Sequence, residues 1–133
     1  MKFWEILVAA NKSGEKVRER YLYVLALEDG CFYVGSTQNP KRRFRQHRDG
    51  QAASWTRLHR PIQLLECYAA GTSEQSVCER LETAKAVELM QLHGIKKVRG
   101  GAISYTDDDM AARQYIAAVR GRLFRHTGGL PSL

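Results

Sequence analysis

Residues 21–35, YLYVLALEDGCFYVG, constrain the fold more than any other part of the chain. Two runs rich in aromatic and β-branched residues, 21–27 and 31–35, flank Asp29-Gly30. Asp and Gly tolerate the positive φ angles that a tight hairpin turn demands. The segment therefore predicts an antiparallel hairpin, and the 133 residues have room for one compact domain around it. With 44% apolar and 26% charged residues, such a domain can bury a core without metals or disulfides.

The flanking segments supply helices and one more clear strand. Asn39-Pro40 reads as an N-cap followed by proline at the first helical position, opening a short basic helix that Asp49-Gly50 closes. Residues 50–61 read as a loop holding Trp55, and 62–68 (IQLLECY) as a third strand. A long helix starts after Thr72 or Ser73, with Thr72 and Gln75 placed for a capping box, and stops at Gly94. Its apolar positions include Val77, Leu81, Ala84, Leu89, Met90 and Leu92. Residues 97–105 hold a weak strand interrupted by Gly100-Gly101. A last helix spans 107–125, its Asp107–Asp109 run complementing the positive N-terminal end. The expected fold class is α+β, a small antiparallel sheet of about three strands flanked by helices. Residues 1–20 form an N-terminal extension, a short helix followed by a polar connector. Residues 21–105 form the main unit, and 106–133 a helix and fraying tail packed on the same domain.

Charge points to a partner class. Lys plus Arg total 21 against 14 Asp plus Glu, giving a net charge of +7. Such an excess suits a polyanion, nucleic acid first and an anionic membrane surface second, or is simply a solvated basic face. No apolar run approaches the roughly 20 residues of a membrane span. Glu5 interrupts the short apolar opening and no cleavage site follows, so it does not read as a signal peptide. Cys31, Cys67 and Cys78 are scattered, odd in number and without zinc-ligand spacing, which fits a reduced, intracellular setting.

Chemistry concentrates around the hairpin and the basic helix. Tyr21 and Tyr23 share one face of a strand, and a tight hairpin brings Tyr33 near Tyr23. Gly35 follows, where backbone can be approached closely. Arg43 and His47 are neighbours on one helix face. Arginine's planar fork suits a phosphate, and a phenol or imidazole can take a proton from water. A hard divalent ion still needs a carboxylate. Each of these side chains also has an ordinary role: packing for the tyrosines, solvation for the arginines, exposure for the histidine.

The residues carry a family resemblance. LYVL at 22–25, YVGST at 33–37 and NPKRRFRQHRDG at 39–50 resemble the GIY-YIG nucleases, with Tyr23, Tyr33 and Arg43 at even intervals. AASWTRLHRP at 52–61 and GIKKVRGG at 94–101 resemble a subgroup bearing WT and VRGG signatures. The likeness covers about 21–105. Tyr21-Leu22-Tyr23 stands where Gly-Ile-Tyr is usual, Val34 replaces isoleucine, and Ser36 stands where some members have lysine. No cysteine-containing metal-binding tail follows LFRHTGG at 123–129.

The resemblance implies an endonuclease that hydrolyses phosphodiester bonds of nucleic acid, DNA more than RNA, with Mg²⁺ or Mn²⁺. Tyr33 or Tyr23, helped by His47, would activate water; Arg43 would stabilise the phosphate; a single glutamate would hold the metal. Counting back from GIKKVRGG puts that acid at Glu82, on a face continued by Ala86, Met90 and Gly94. Glu88 is the rival, because it lies on the stripe of Val77, Leu81, Ala84 and Leu92, where an unpaired carboxylate is costly. Arg42, Arg45, Arg48, Arg57 and Arg60 are candidate backbone contacts. Trp55 either stacks on a base or packs its loop onto the sheet. Arg99 either touches phosphate or belongs to a turn. Arg113, Arg120, Arg122 and Arg125 extend the basic surface or only confer solubility. The competing readings are a non-catalytic nucleic-acid-binding module of the same fold, and an interaction domain whose charge is only surface.

Overall fold

A computed structural model describes residues 20–126. The predicted short N-terminal helix, the rest of the 1–19 extension and the tail 127–133 lie outside the described residues.

Strand β1 (Tyr21–Leu27) and strand β2 (Phe32–Thr37) form the predicted antiparallel hairpin. Its turn is one residue longer than Asp29-Gly30 alone: Glu28–Gly30 make a single 3₁₀ turn, with both Asp29 (φ 65°) and Gly30 (φ 68°) left-handed. Helix α1 (Pro40–Arg48) begins as the sequence indicates, with Asn39 Oδ1 accepting from the Arg42 N–H. Residues 54–58, expected as loop, form a one-turn helix α2 (Ser54–Leu58). It forms because Trp55 and Thr56 are buried and hold it against the rest of the molecule, a tertiary effect that periodicity over five residues cannot reveal.

Strand β3 (Pro61–Ala69) is followed by helix α3 (Gln75–His93), which Gly94 ends at φ 97° with its N–H on the Met90 carbonyl. The capping box is not made: Glu74 is the N-cap and carries no side-chain cap, while Thr72 Oγ1 accepts from the Glu74 N–H. Strand β4 (Val98–Gly100) and helix α4 (Asp108–His126) complete the described chain.

The fold is α+β, with a four-stranded mixed sheet in the order β3-β1-β2-β4. The hairpin and β3 are antiparallel; β4 adds a parallel pair to β2. The weak strand thus extends the three expected strands by one, in the orientation that the intervening helix α3 permits. Gly100 lies so close to β2 that a Cβ there would meet the Val34 carbonyl oxygen at 2.5 Å.

Alternation along the strands divides the core into two layers. Val24 and Val34 face α3 and α4, joining Ala86, Val87, Met90, Val98, Ile103 and Ala111. Tyr21, Tyr23, Leu25 and Leu27 face the other way, packed with Cys67, Trp55 and the partly buried Phe44 of α1. The three cysteines are free and buried. Among the described residues no helix is long and apolar enough to cross a membrane.

Candidate active site

The hairpin register sets the geometry. Tyr23 lies opposite Gly35, and Tyr33 is one pleat away on the same face. The two rings are 6.4 Å apart between centroids. Gly35 is required here, since a Cβ would meet Tyr23 Oη at 2.5 Å and Cζ at 2.6 Å. The phenol lies across the glycine.

Helix α1 delivers Arg43 and His47 one turn apart. His47 is 1% exposed. Its Nε2 is 2.6 Å from Tyr23 Oη and its Nδ1 is 2.8 Å from Thr56 Oγ1. Thr56 Oγ1 donates its own proton to the Ala53 carbonyl at 3.0 Å. A hydroxyl has one proton to give, so Thr56 must accept from Nδ1–H. That leaves Nε2 as the acceptor of the Tyr23 phenol proton. The four groups form a directed chain from the Tyr23 phenol through imidazole and hydroxyl to a backbone carbonyl. Thr56 is the residue that sequence reasoning missed; its partner in the WT pair, Trp55, drew the attention.

Burial, and then the nearby Arg43 charge, push the His47 pKa down to about 4, so the ring is neutral near pH 7. Burial, with lesser contributions from Tyr33 and Glu82, holds the Tyr23 phenol well above its ordinary range, against Arg43 and Arg20. Burial and then Glu82 raise Tyr33, which Arg43 offsets in part. Among the described residues the Tyr33 hydroxyl makes no hydrogen bond, leaving it open to a water.

Helix α3 brings the acid. Cys78, Ala86 and Met90 are buried on the sheet side, and Glu82 continues that stripe at steps of four. Glu82 Oε2 accepts from Ser36 Oγ at 2.9 Å, and Ser36 is gripped by Arg20, whose Nε reaches Oγ (3.2 Å) and Nη2 the carbonyl (2.9 Å). Burial raises the Glu82 pKa, which the Ser36 hydrogen bond and Arg20 oppose. Glu88 lies elsewhere: its side chain is 60% exposed and pairs with Lys85, which also reaches Glu66. The stripe that favoured it, with Leu81 and the 70% exposed Leu92, faces outward, so no desolvation argument applies to it.

Tyr23, Tyr33, Gly35, Ser36, Arg43, His47 and Glu82 thus line one polar cleft of about 230 Å³, closed on one side by Ala52 and Ala53. Among the described residues no cluster of three metal-ligating side chains occurs. A lone carboxylate with hydroxyl neighbours and no sulfur nonetheless fits a hard divalent ion, which keeps most of its shell as water and phosphate oxygen.

Two expected nucleic-acid contacts are interior residues instead. Arg99 is fully buried. Its Nε donates to the Tyr105 carbonyl (2.6 Å), Nη1 to Ile95 (2.6 Å) and Val98 (2.8 Å), and Nη2 to Thr106 (3.2 Å) and Asp108 Oδ1 (2.8 Å). Every nitrogen is used, so no phosphate can be reached. Trp55 is buried, its indole N–H on the Phe32 carbonyl at 3.0 Å and the Arg99 Cζ 4.3 Å from its ring centroid; no base can stack on it. Arg42, Arg45, Arg48, Arg57 and Arg60 are exposed, Arg48 beside Asp49 at 3.7 Å. Arg113 and Arg120 are exposed on α4.

A small mixed sheet of four strands flanked by helices is the architecture of a nuclease-family fold. The profile of the GIY-YIG catalytic domain matches residues 19–86. A UPF0213 protein of Bacillus licheniformis is 38% identical over 56 residues, 41% of this chain and 58% of the relative. One from Enterococcus faecalis is 44% identical over 50 residues, 36% and 57%. One from Halalkalibacterium halodurans is 30% identical over 79 residues, 56% and 84%. The chain spans less than two thirds of the first two relatives. No solved structure matches. The chain belongs to the GIY-YIG family.

Proposed function

We propose that this protein is an endonuclease hydrolysing phosphodiester bonds in nucleic acid, DNA ahead of RNA, with Mg²⁺ or Mn²⁺ at Glu82. The observation that supports it is the convergence of Tyr23, Tyr33, Arg43, His47 and Glu82 on one cleft from four different elements. Packing alone has no need to collect a guanidinium, a carboxylate, an imidazole and two phenols there, and perturbed titratable groups gathered in a cleft are a mark of catalytic sites.

The residues divide the work by geometry. A bound divalent ion supplies charge that polarises the phosphate and favours departure of the leaving oxygen. Arg43 binds the nonbridging oxygens and holds the charge that grows on them. Tyr23 takes a proton from the attacking water as it releases its own to His47 Nε2, 2.6 Å away. Thr56 keeps the ring in the tautomer able to receive that proton. A phosphate paired with Arg43 also cancels the positive field that contributes to lowering the His47 pKa. Tyr33, with its open hydroxyl, orders the water. Ser36 and Arg20 fix the Glu82 carboxylate.

Purified protein is expected to cut DNA only when a divalent ion is added. Arg43→Ala and Glu82→Ala each abolish cleavage, and Glu82→Ala leaves most binding intact. Cleavage by both variants at the wild-type rate would refute the assignment. Salt-sensitive binding without cutting on duplex, branched and single-stranded DNA and RNA would establish the binding module instead.

A further inference from the structure

Beside the catalytic cleft lies a second polar concavity of about 320 Å³, lined by Arg20, Gln38, Asn39, Arg42, Arg43 and Gln46, with Thr37 at its wall. Arg43 lines both. We propose that this concavity is a phosphate subsite that takes the unreacted phosphodiester next to the one being cut, held by Arg20, Arg42 and Arg43. The proposal rests on the nuclease reading and adds a substrate contact to it.

Three features carry the inference. First, the cluster is unbalanced. Among the described residues Arg48 pairs with Asp49, Lys85 with Glu66 and Glu88, and Arg99 with Asp108, yet Arg20, Arg42 and Arg43 form no salt bridge, Glu82 being joined to Arg20 only through Ser36. Among the described residues no acidic side chain lines the concavity. Like charges converging in a concave site repel one another until an anion neutralises them, and the same shape focuses their field outward. A merely solvated basic face spreads its charges apart.

Second, the donors are poised. Arg20 spends Nε and Nη2 on Ser36, which fixes its guanidinium plane, and its Nη1 makes no hydrogen bond among the described residues. Arg42 is tied by its backbone N–H to Asn39, while its guanidinium makes no bond among them. A fork fixed by Ser36 beside one with its donors uncommitted among the described residues suits an oxyanion with several acceptor oxygens.

Third, Arg43 is common to both hollows, so their ligands must be neighbours. On a polynucleotide the neighbour of a scissile phosphate is the next phosphate of the same strand. Arg20 gains a double role: through Ser36 it positions Glu82, and through the second hollow it senses the strand.

The test is fluorescence anisotropy with a fluorescein-labelled DNA duplex in EDTA, across a series of KCl concentrations. Wild-type affinity should fall linearly on a log–log plot. Arg42→Gln should weaken binding roughly tenfold and reduce the slope by no more than about 1, since Arg20 still faces the same phosphate. The Arg20→Gln/Arg42→Gln double variant should lose about 1 in total, because both arginines serve one phosphate. Arg80→Gln, on α3 and outside both hollows, should keep the wild-type slope and so exclude a general charge effect. A double variant that loses about 2 would show separate contacts on an open face and overturn the subsite. So would wild-type binding that Arg42→Gln leaves unchanged. The wild-type series is repeated with labelled branched and single-stranded DNA and with RNA, and a protein that binds none of these nor the duplex overturns the proposed function and the subsite with it. Arg42→Gln removes an exposed side chain with no bond among the described residues, so it keeps the test decisive even if Arg20→Gln disturbs β1.

Discussion

Replacing Arg99 with methionine should unfold much of what the protein's stability rests on, while leaving its affinity for nucleic acid per folded molecule intact. Methionine matches the aliphatic stem and removes the charge. The loss can be sized from the five hydrogen bonds and the ring contact. Four of the acceptors are backbone carbonyls, at Ile95, Val98, Tyr105 and Thr106. Those at the exposed Tyr105 and half-buried Thr106 can regain water. So can that at half-buried Ile95, whereas the one at buried Val98 cannot, and an orphaned buried acceptor costs about 1–3 kcal/mol. The desolvated contact with Trp55 adds about 1–2 kcal/mol. Asp108 is half exposed and recovers solvation at little cost. Together these come to about 2–5 kcal/mol. A domain of this size has only about 5–15 kcal/mol to lose. Urea unfolding followed by far-UV circular dichroism measures it, with DNA anisotropy on the folded fraction in parallel. A loss under about 1 kcal/mol together with a clear fall in DNA affinity would refute the reasoning and return Arg99 to the surface role its sequence suggests.

Other outcomes follow from the same geometry. Gly35→Ala has a permissible backbone but displaces the Tyr23 phenol, so cleavage should fall by about 100-fold or more for only about 1–3 kcal/mol of stability, measured by single-turnover kinetics and melting; wild-type cleavage would show that the phenol need not lie where it does. His47 titrates at about 4 when folded against an ordinary 6.5. The unfolded chain therefore takes up a proton between those values that the folded chain refuses. The stabilisation is fully present above pH 6.5, falls as pH drops toward 4, and amounts to about 3 kcal/mol at most. Denaturation curves across this window should be steeper in pH for wild type than for His47→Gln, and parallel curves would contradict it.

Much of the fold was legible because local chemistry agreed with global need. Asp29-Gly30, Asn39-Pro40 and Gly94 each sit where a backbone angle or a cap demands them, and such signals are carried by single residues. The tyrosines, Arg43 and His47 could be brought together because a strand alternates and a helix repeats every four. Glu82 followed from the count back from GIKKVRGG and from its continuation into Ala86 and Met90. The apolar-stripe argument for Glu88 failed because α3 is apolar on both sides: Val87 and Leu89 are buried while Leu81 and Leu92 are not, and composition cannot say which side meets the sheet. Short elements were the other loss. The α2 turn, the parallel pairing of β4 and the burial of Arg99 all depend on partners distant in sequence. An arginine beside two glycines gives no local hint that five acceptors will enclose it.

The one-turn helix α2 is too brief to persist by itself, yet it carries both Thr56, which orients the His47 ring, and Trp55, which seals against β2 and Arg99. Its helical form and the proton path therefore come into being together, only once the interior has closed around that indole. A nascent or half-unravelled chain has no oriented imidazole, so the cleavage proposed for this site would be withheld until folding is finished.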